Sequence, residues 1–267
     1  MSTEPLRAAP MQTEHVLVDR LDGILRIRMN RPEKKNSLTA AMYSSFAEAL
    51  HQAEADKSVR VVFITGTADC FTAGNDLNDF LNNPPVGEDS PVARFLAAIS
   101  QASKPLVAAV NGVAVGVGTT MLLHCDLVYA GKSARFHMPF VNIGLCPEAA
   151  SSLLIPAMMG PQRAAELLLL GEPFGAERAL ELGIVNAVYE DSEYQDKALE
   201  KARRLAAQPP AALRACKALL RRASAAAVKE TMRAEVDVFM PMLRAPEARE
   251  AMTAFMQKRK PDFSKFD

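Results

Sequence analysis

No other stretch limits the fold of this chain as much as the sixteen residues from Leu106 to Met121. Leu106-Val107-Ala108-Ala109-Val110 reads as a fully buried strand, bounded by Lys104-Pro105 before it and Asn111-Gly112 after it. Gly116-Val117-Gly118 then opens an apolar run, Thr119 to Leu123, that reads as a short buried helix. Glycine there lets a second backbone or a ligand approach where a Cβ would block it. Amides at the start of a helix are free donors, and the helix dipole favours negative charge beside them. Backbone alone can therefore hold a developing oxyanion here. The competing reading is that the glycines only permit tight packing of helix on strand. A dinucleotide fingerprint fits poorly. Met121 stands at its third glycine, Asp126 comes too early for the ribose, and no acid lies between Leu127 and Phe140.

The remaining bounds are broad. With 267 residues, 49% hydrophobic and 23% charged, the chain can bury a sizeable core. Lys+Arg and Asp+Glu both number 31, which argues against a nucleic-acid binder, whose affinity rests on clustered cations. Cys70, Cys125, Cys146 and Cys216 lie far apart and read as free thiols in a reducing compartment. His15, His51, His124 and His137 show no metal spacing. No apolar run approaches the ~20 residues that span a bilayer, and Met1 to Gln12 is no signal peptide. A cytoplasmic protein without membrane or nucleic-acid partners is expected.

Along the chain, His15–Asp19 and Ile24–Met29 alternate around Leu21-Asp22-Gly23, a β-hairpin signal. Thr39 is a good N-cap for a helix with Met42, Phe46, Ala49, Leu50 and Ala53 on one face. Strands are expected at Val59–Thr65, Asp126–Ala130, Arg135–Met138 and Ile184–Tyr189, with a surface excursion from Asn82 to Gly87. Helices are expected at Val92–Gln101, from Glu148 to Met159, from Pro161 to Gly171 and at Ala176–Leu182. After Tyr194 only helical spacing remains, with wide Met-rich faces such as Met232, Val236, Phe239, Met240 and Leu243. Three parts follow: a disordered tail at 1–14, a strand–helix body at 15–190 and a helical module at 191–267.

Four segments in order resemble the motifs of the crotonase (enoyl-CoA hydratase/isomerase) superfamily, over essentially Val16 to Phe263. They are Asn30-Arg31-Pro32-Glu33-Lys34-Lys35-Asn36-Ser37-Leu38, Phe71-Thr72-Ala73-Gly74-Asn75-Asp76-Leu77, the glycine stretch with Cys125-Asp126, and Phe255 to Phe263. The resemblance implies an α/β fold, a crotonase-type spiral of repeated β-β-α units whose C-terminal helices build trimers or hexamers. It implies an acyl-CoA thioester as substrate, no cofactor and no metal. The body would then be the acyl-CoA-binding core. Substrate would lie along Ala73, Gly74, Asn75, Asp76, Leu77, Val117 and Phe140, and the backbone amides of Ala73 and Val117 would form an oxyanion hole.

A hydratase of this superfamily uses two glutamates to position and deprotonate water. The same alignment puts Thr120 and Phe140 at those positions, and neither can move a proton near pH 7. Glu148, in Asn142-Ile143-Gly144-Leu145-Cys146-Pro147-Glu148, resembles instead the proton-shuttling glutamate of the peroxisomal-type delta3-delta2-enoyl-CoA isomerases. One carboxylate can take a proton from carbon 2 of a 3-enoyl-CoA and return it at carbon 4. The alternative for Glu148 is a carboxylate that stabilises a helix N-terminus. Thr120 is expected to be a bystander, and His137 and His124 are the rival bases. Asp76 and Asp126 are expected to organise loops as hydrogen-bond acceptors. Another reaction on an acyl-CoA thioester (hydration, hydrolysis or decarboxylation) and a non-catalytic acyl-CoA-binding role remain open alternatives.

Overall fold

A computed structural model describes residues 14–67, 69–82, 87 and 89–266. The expected N-terminal tail, Glu14 excepted, and residues 83–86 of the expected excursion lie outside the described residues. The first half of the chain runs β1 (Val16–Leu21), β2 (Ile24–Met29), α1 (Ala40–Ala55), β3 (Val61–Thr65), α2 (Leu77–Asn82), α3 (Pro91–Gln101), β4 (Leu106–Val110), β5 (Val113–Val115), α4 (Val117–Thr120), β6 (Leu127–Gly131) and β7 (Arg135–His137). The second half runs α5 (Ser151–Met159), α6 (Pro161–Ala165), β8 (Phe174–Gly175), α7 (Ala176–Glu181), β9 (Ala187–Tyr189), α8 (Tyr194–Ala206), α9 (Pro210–Arg221), α10 (Ala225–Leu243) and α11 (Pro246–Met256). Among the described residues no helix is long and apolar enough to cross a membrane, and none of the four cysteines is in a disulfide.

Six strands form one sheet in the order β1-β2-β3-β4-β6-β9, antiparallel only at the β1–β2 hairpin. A second sheet, β5-β7-β8, stands beside it. Leaving β4 for β5, and β6 for β7, the chain steps from the first sheet to the second, which is the expected spiral. The step at Asn111-Gly112 shows why glycine is needed. Gly112 has φ +59°, and a Cβ there would stand 1.9 Å from the carbonyl oxygen of Asp69.

The strands are apolar throughout because both faces of the large sheet are covered. Val62, Ile64, Leu106 and Ala108 face α1 and α3, where Phe46 and Phe95 meet edge to face at 5.0 Å. Val61, Phe63, Val107 and Ala109 face Tyr194, Ala198 and Ala202 of α8. The helical segment after residue 190 thus begins as the cover of the sheet. Thr39 caps α1, its hydroxyl accepting from Met42 N–H at 3.3 Å. Several expected elements start late, β3 at Val61 instead of Val59 among them. The helix drawn from Glu148 starts only at Ser151, because Ala149 and Ala150 adopt left-handed backbone (φ 59° and 56°). The strand expected from Ile184 is likewise paired only from Ala187.

Helix α9 is anchored by charge. Lys217 Nζ and Arg221 both donate to Asp126, at 2.7 and 3.0 Å, and Lys217 is only 6% exposed. Asp126 also accepts from Leu106 N–H, so one carboxylate joins the sheet to the C-terminal helices. Asp126→Ala leaves a buried ammonium without its counter-charge and should cost about 3 kcal/mol in a urea unfolding series. A loss below about 1 kcal/mol would show that the anchor contributes little.

Candidate active site

The motif segments converge on one cavity of about 580 Å³. The segment 72–77 forms one wall, pinned by local hydrogen bonds. Thr72 Oγ1 donates to Asn36 O (2.7 Å) and accepts from Gly74 N–H, and Leu38 N–H donates to Gly74 O. Asp76 accepts from Arg31 (2.7 Å) and from Asp79 N–H, the loop-organising role expected of it. Opposite stands the start of α4. Gly118 lets the two walls meet, since a Cβ on it would lie 2.6 Å from Thr72 Cγ2. Tight packing and amide presentation, the two readings of the glycines, thus describe one arrangement.

Ala73, Gly74, Asn75, Asp76, Leu77, Val117 and Phe140 all line the cavity, as does Glu148. The amides need a correction. Ala73 N–H donates to Lys35 O at 2.9 Å and so is already engaged. Among the described residues, the amides of Asn75 and Val117 have no hydrogen-bond partner, and each borders the cavity, one from each wall.

Glu148 sits on the loop between the 3₁₀ turn Val141–Ile143 and α5. Its side chain does not cap that helix. Its backbone carbonyl takes this place, accepting from Ser151 N–H (3.1 Å) and Ser151 Oγ (2.6 Å). The carboxyl accepts a short hydrogen bond from Thr120 Oγ1. It borders the cavity but is otherwise enclosed by protein, and burial pushes it up to about 7. The Thr120 hydroxyl pulls it down, and the nearby Glu235 carboxylate pushes it up. Tyr43, whose hydroxyl donates to Asn75 Oδ1, is raised well above the usual phenol range by burial and by Glu148.

The rival bases are engaged elsewhere. His124 Nε2 lies 2.8 Å from Ala149 O, and burial lowers it to about 4, so it is neutral at pH 7. His137 Nε2 lies 2.8 Å from Gly171 O. Neither lines the cavity. Two partners of Glu148 escaped the sequence reading. Thr120, expected to be a bystander, is its hydrogen-bond donor. Glu235 of α10 is a buried acid on an otherwise apolar face with Met232, Val236 and Phe239. That lone acid at helical spacing was a visible signal.

The side walled by α3, α10 and α11 is mostly apolar, through residues such as Leu96, Phe239 and Met252. A carboxyl raised toward neutrality, in one cavity with two unpartnered amides, suits proton transfer next to a carbonyl whose oxygen the amides hold.

The chain is similar to known proteins over almost its whole length. Residues 19–265 match the family described as enoyl-CoA hydratase/isomerase. Human enoyl-CoA delta isomerase 2 is 34% identical over 92% of this chain, which spans 64% of that protein's length. The 2,3-dehydroadipyl-CoA hydratase of Escherichia coli is 34% identical over 93% of this chain and 98% of its own. Among solved structures, OdaA of Pseudomonas aeruginosa superposes with a TM-score of 0.90 at 50% identity, covering 91% of this chain and 99% of that one.

The raised carboxyl has a thermodynamic signature. Glu148 titrates near 4.5 when unperturbed and at about 7 in the folded chain. The folded state therefore holds the proton more tightly. That contribution to stability is complete below pH 4.5 and is lost as pH rises through 7. Glu148→Gln should gain roughly 2–3 kcal/mol over wild type at pH 8, with the gap closing below pH 4.5. Denaturation of both proteins across this range checks it, and a pH-independent gap would place the carboxyl in water.

Proposed function

This chain belongs to the enoyl-CoA hydratase/isomerase family, acyl-CoA enzymes of the crotonase superfamily, and we propose that it moves the double bond of a 3-enoyl-CoA to give the trans-2-enoyl-CoA. Glu148 takes a proton from carbon 2, the C–H electron pair forms a double bond between carbons 1 and 2, and the carbonyl π pair moves onto the thioester oxygen, giving a dienolate conjugated with the 3,4 double bond. The amides of Asn75 and Val117 hold that oxygen. The protonated Glu148 then returns its proton at carbon 4, the electron pair forms the 2,3 double bond, and the enzyme ends as it began. A carboxyl poised near 7 is suited to both halves of this exchange, because neither proton state is strongly favoured at neutral pH.

The observation that carries the reading is Glu148, a cavity carboxyl raised by burial, with no acid at the two positions where a hydratase would need them. Thr120 there is buried and bonded to Glu148, and Phe140 is an apolar wall. Water addition would lack both of its proton-transfer groups. The apolar wall also supports exclusion of water from the dienolate.

Parallel assays with a 3-enoyl-CoA and a 2-enoyl-CoA test this. Isomerisation should exceed hydration, and Glu148→Gln should lower kcat by about two to four orders of magnitude with ester affinity nearly unchanged. Thr120→Val removes the donor that favours the charged carboxylate, so the acidic limb of kcat should move to higher pH. Hydration as fast as isomerisation, or more than about a tenth of activity in Glu148→Gln, would overturn the assignment. The proposal extends to assembly. Exposed Leu219, Leu220 and Val238 on the C-terminal helices support the trimers or hexamers implied by the resemblance. Light scattering should give a multiple of three protomers, and a stable monomer at micromolar concentration would refute it.

A further inference from the structure

We propose that Glu235, on α10, is a positioning residue for Glu148: it clamps the loop on both sides of Glu148 and fixes where that carboxyl points. The inference rests on the reading of Glu148 as the base. Residue 235 is far from the loop in sequence, yet one of its carboxylate oxygens is engaged in the loop and the other at the first turn of α5. Oε2 accepts from Ala150 N–H at 2.6 Å, and Oε1 accepts from Ser152 N–H (3.0 Å) and Ser152 Oγ (2.5 Å). On the other side of Glu148, Cys146 Sγ lies 3.7 Å from the backbone carbonyl oxygen of Glu235. One residue of α10 therefore grips the chain two residues before Glu148 and two and four residues after it.

The clamp answers a local instability. Ala149 and Ala150 are both left-handed, a backbone state alanine leaves readily when nothing holds it. Relaxation of that pair would re-aim the preceding side chain, and a misplacement of about 1 Å can cost a hundredfold in rate. Acids are rarely buried among apolar side chains unless their hydrogen bonds are satisfied, and Glu235 is 7% exposed beside Met232, Val236 and Phe239. Its carboxylate bonds run to Ala150 in the loop and to Ser152 in the first turn of α5. The competing account is that Glu235 only caps α5, whose own N-cap, Ala150, has no side-chain oxygen to offer. That role would contribute to stability alone.

Kinetics of Glu235→Gln separate the two. The groups facing Glu148 are Tyr43 of α1, Thr120 of α4, Cys146 of its own loop and Glu235 of α10. Glutamine keeps one oxygen for Ser152, loses the bond from Ala150 N–H and removes the charge beside Glu148. Expected are a kcat lowered about 10–100-fold, KM within about threefold, and an acidic limb displaced by about half a pH unit to lower pH. Glu235→Ala should be slower still. Adding Ala150→Gly to Glu235→Ala should recover at least about fivefold in kcat, because glycine adopts the turn unaided. If folded Glu235→Gln keeps wild-type kcat and acidic limb and shows only a lower Tm, Glu235 is a helix cap and the inference falls. Should Glu235→Ala fail to fold, the glutamine variant decides alone.

A second readout needs no turnover. The stability gain of Glu148→Gln at pH 8 should shrink when measured in the Glu235→Gln background. An unchanged gain would overturn the coupling of the two acids. A wild-type protein without isomerase activity but with a shrinking gain would sink the isomerase reading, and the positioning role with it, and leave only the coupling of the two acids. Normal isomerase activity in Glu235→Gln would instead sink the positioning role and leave the isomerase reading standing.

Discussion

A carboxyl set into an apolar wall has lost the water that would solvate its charge, and most of this molecule can be understood from how that loss is managed. Glu148 is left with a single hydroxyl donor, Thr120, and with a second carboxylate nearby. That supply is enough to keep the charged form within reach and too little to make it dominant. More donors would have produced an ordinary acid that stays ionised, and fewer would have produced a permanently neutral one. His124, buried and uncharged, supports the backbone beside Glu148 without adding a positive charge that would undo the balance.

The groups of the site come from four distant segments. The spiral brings them together because each passage from the first sheet to the second deposits a loop at the same edge. The segment 72–77 precedes α2, the Gly116–Thr120 segment follows β5, and Glu148 follows β7. The fourth wall belongs to α10 and α11. Rigidity comes from groups that never meet a ligand, such as Asn36, whose amide donates to Cys70 O at 2.8 Å and to Phe71 O at 3.2 Å. The second motif is therefore held by the first.

Much of this was legible in the order of residues, and the parts that were not share a cause. The hairpin, the Thr39 cap and the doubly covered strand at Leu106 rest on local pattern, and the motif resemblance located the cavity walls. The choice between the amides of Ala73 and Asn75 could not be read, because it depends on a hydrogen bond to Lys35 from another part of the chain. The late start of α5 depends on left-handed alanines, which no propensity favours and which Glu235 holds from far along the sequence. Thr120 was passed over because a hydroxyl has no useful basicity. Its importance is as a donor, and that requires knowing what lies opposite.

The placement of the fourth wall has a consequence for biosynthesis. A ribosome that has emitted the first 220 residues has already made the large sheet, both loops with unpartnered amides, and Glu148 itself. The side chains of α10 and α11 that close one side of the cavity, among them Phe239 and Met252, are made after it. Without those helices that side of the cavity is open to water, so the enclosure of Glu148 depends on a part of the chain made after the carboxyl itself.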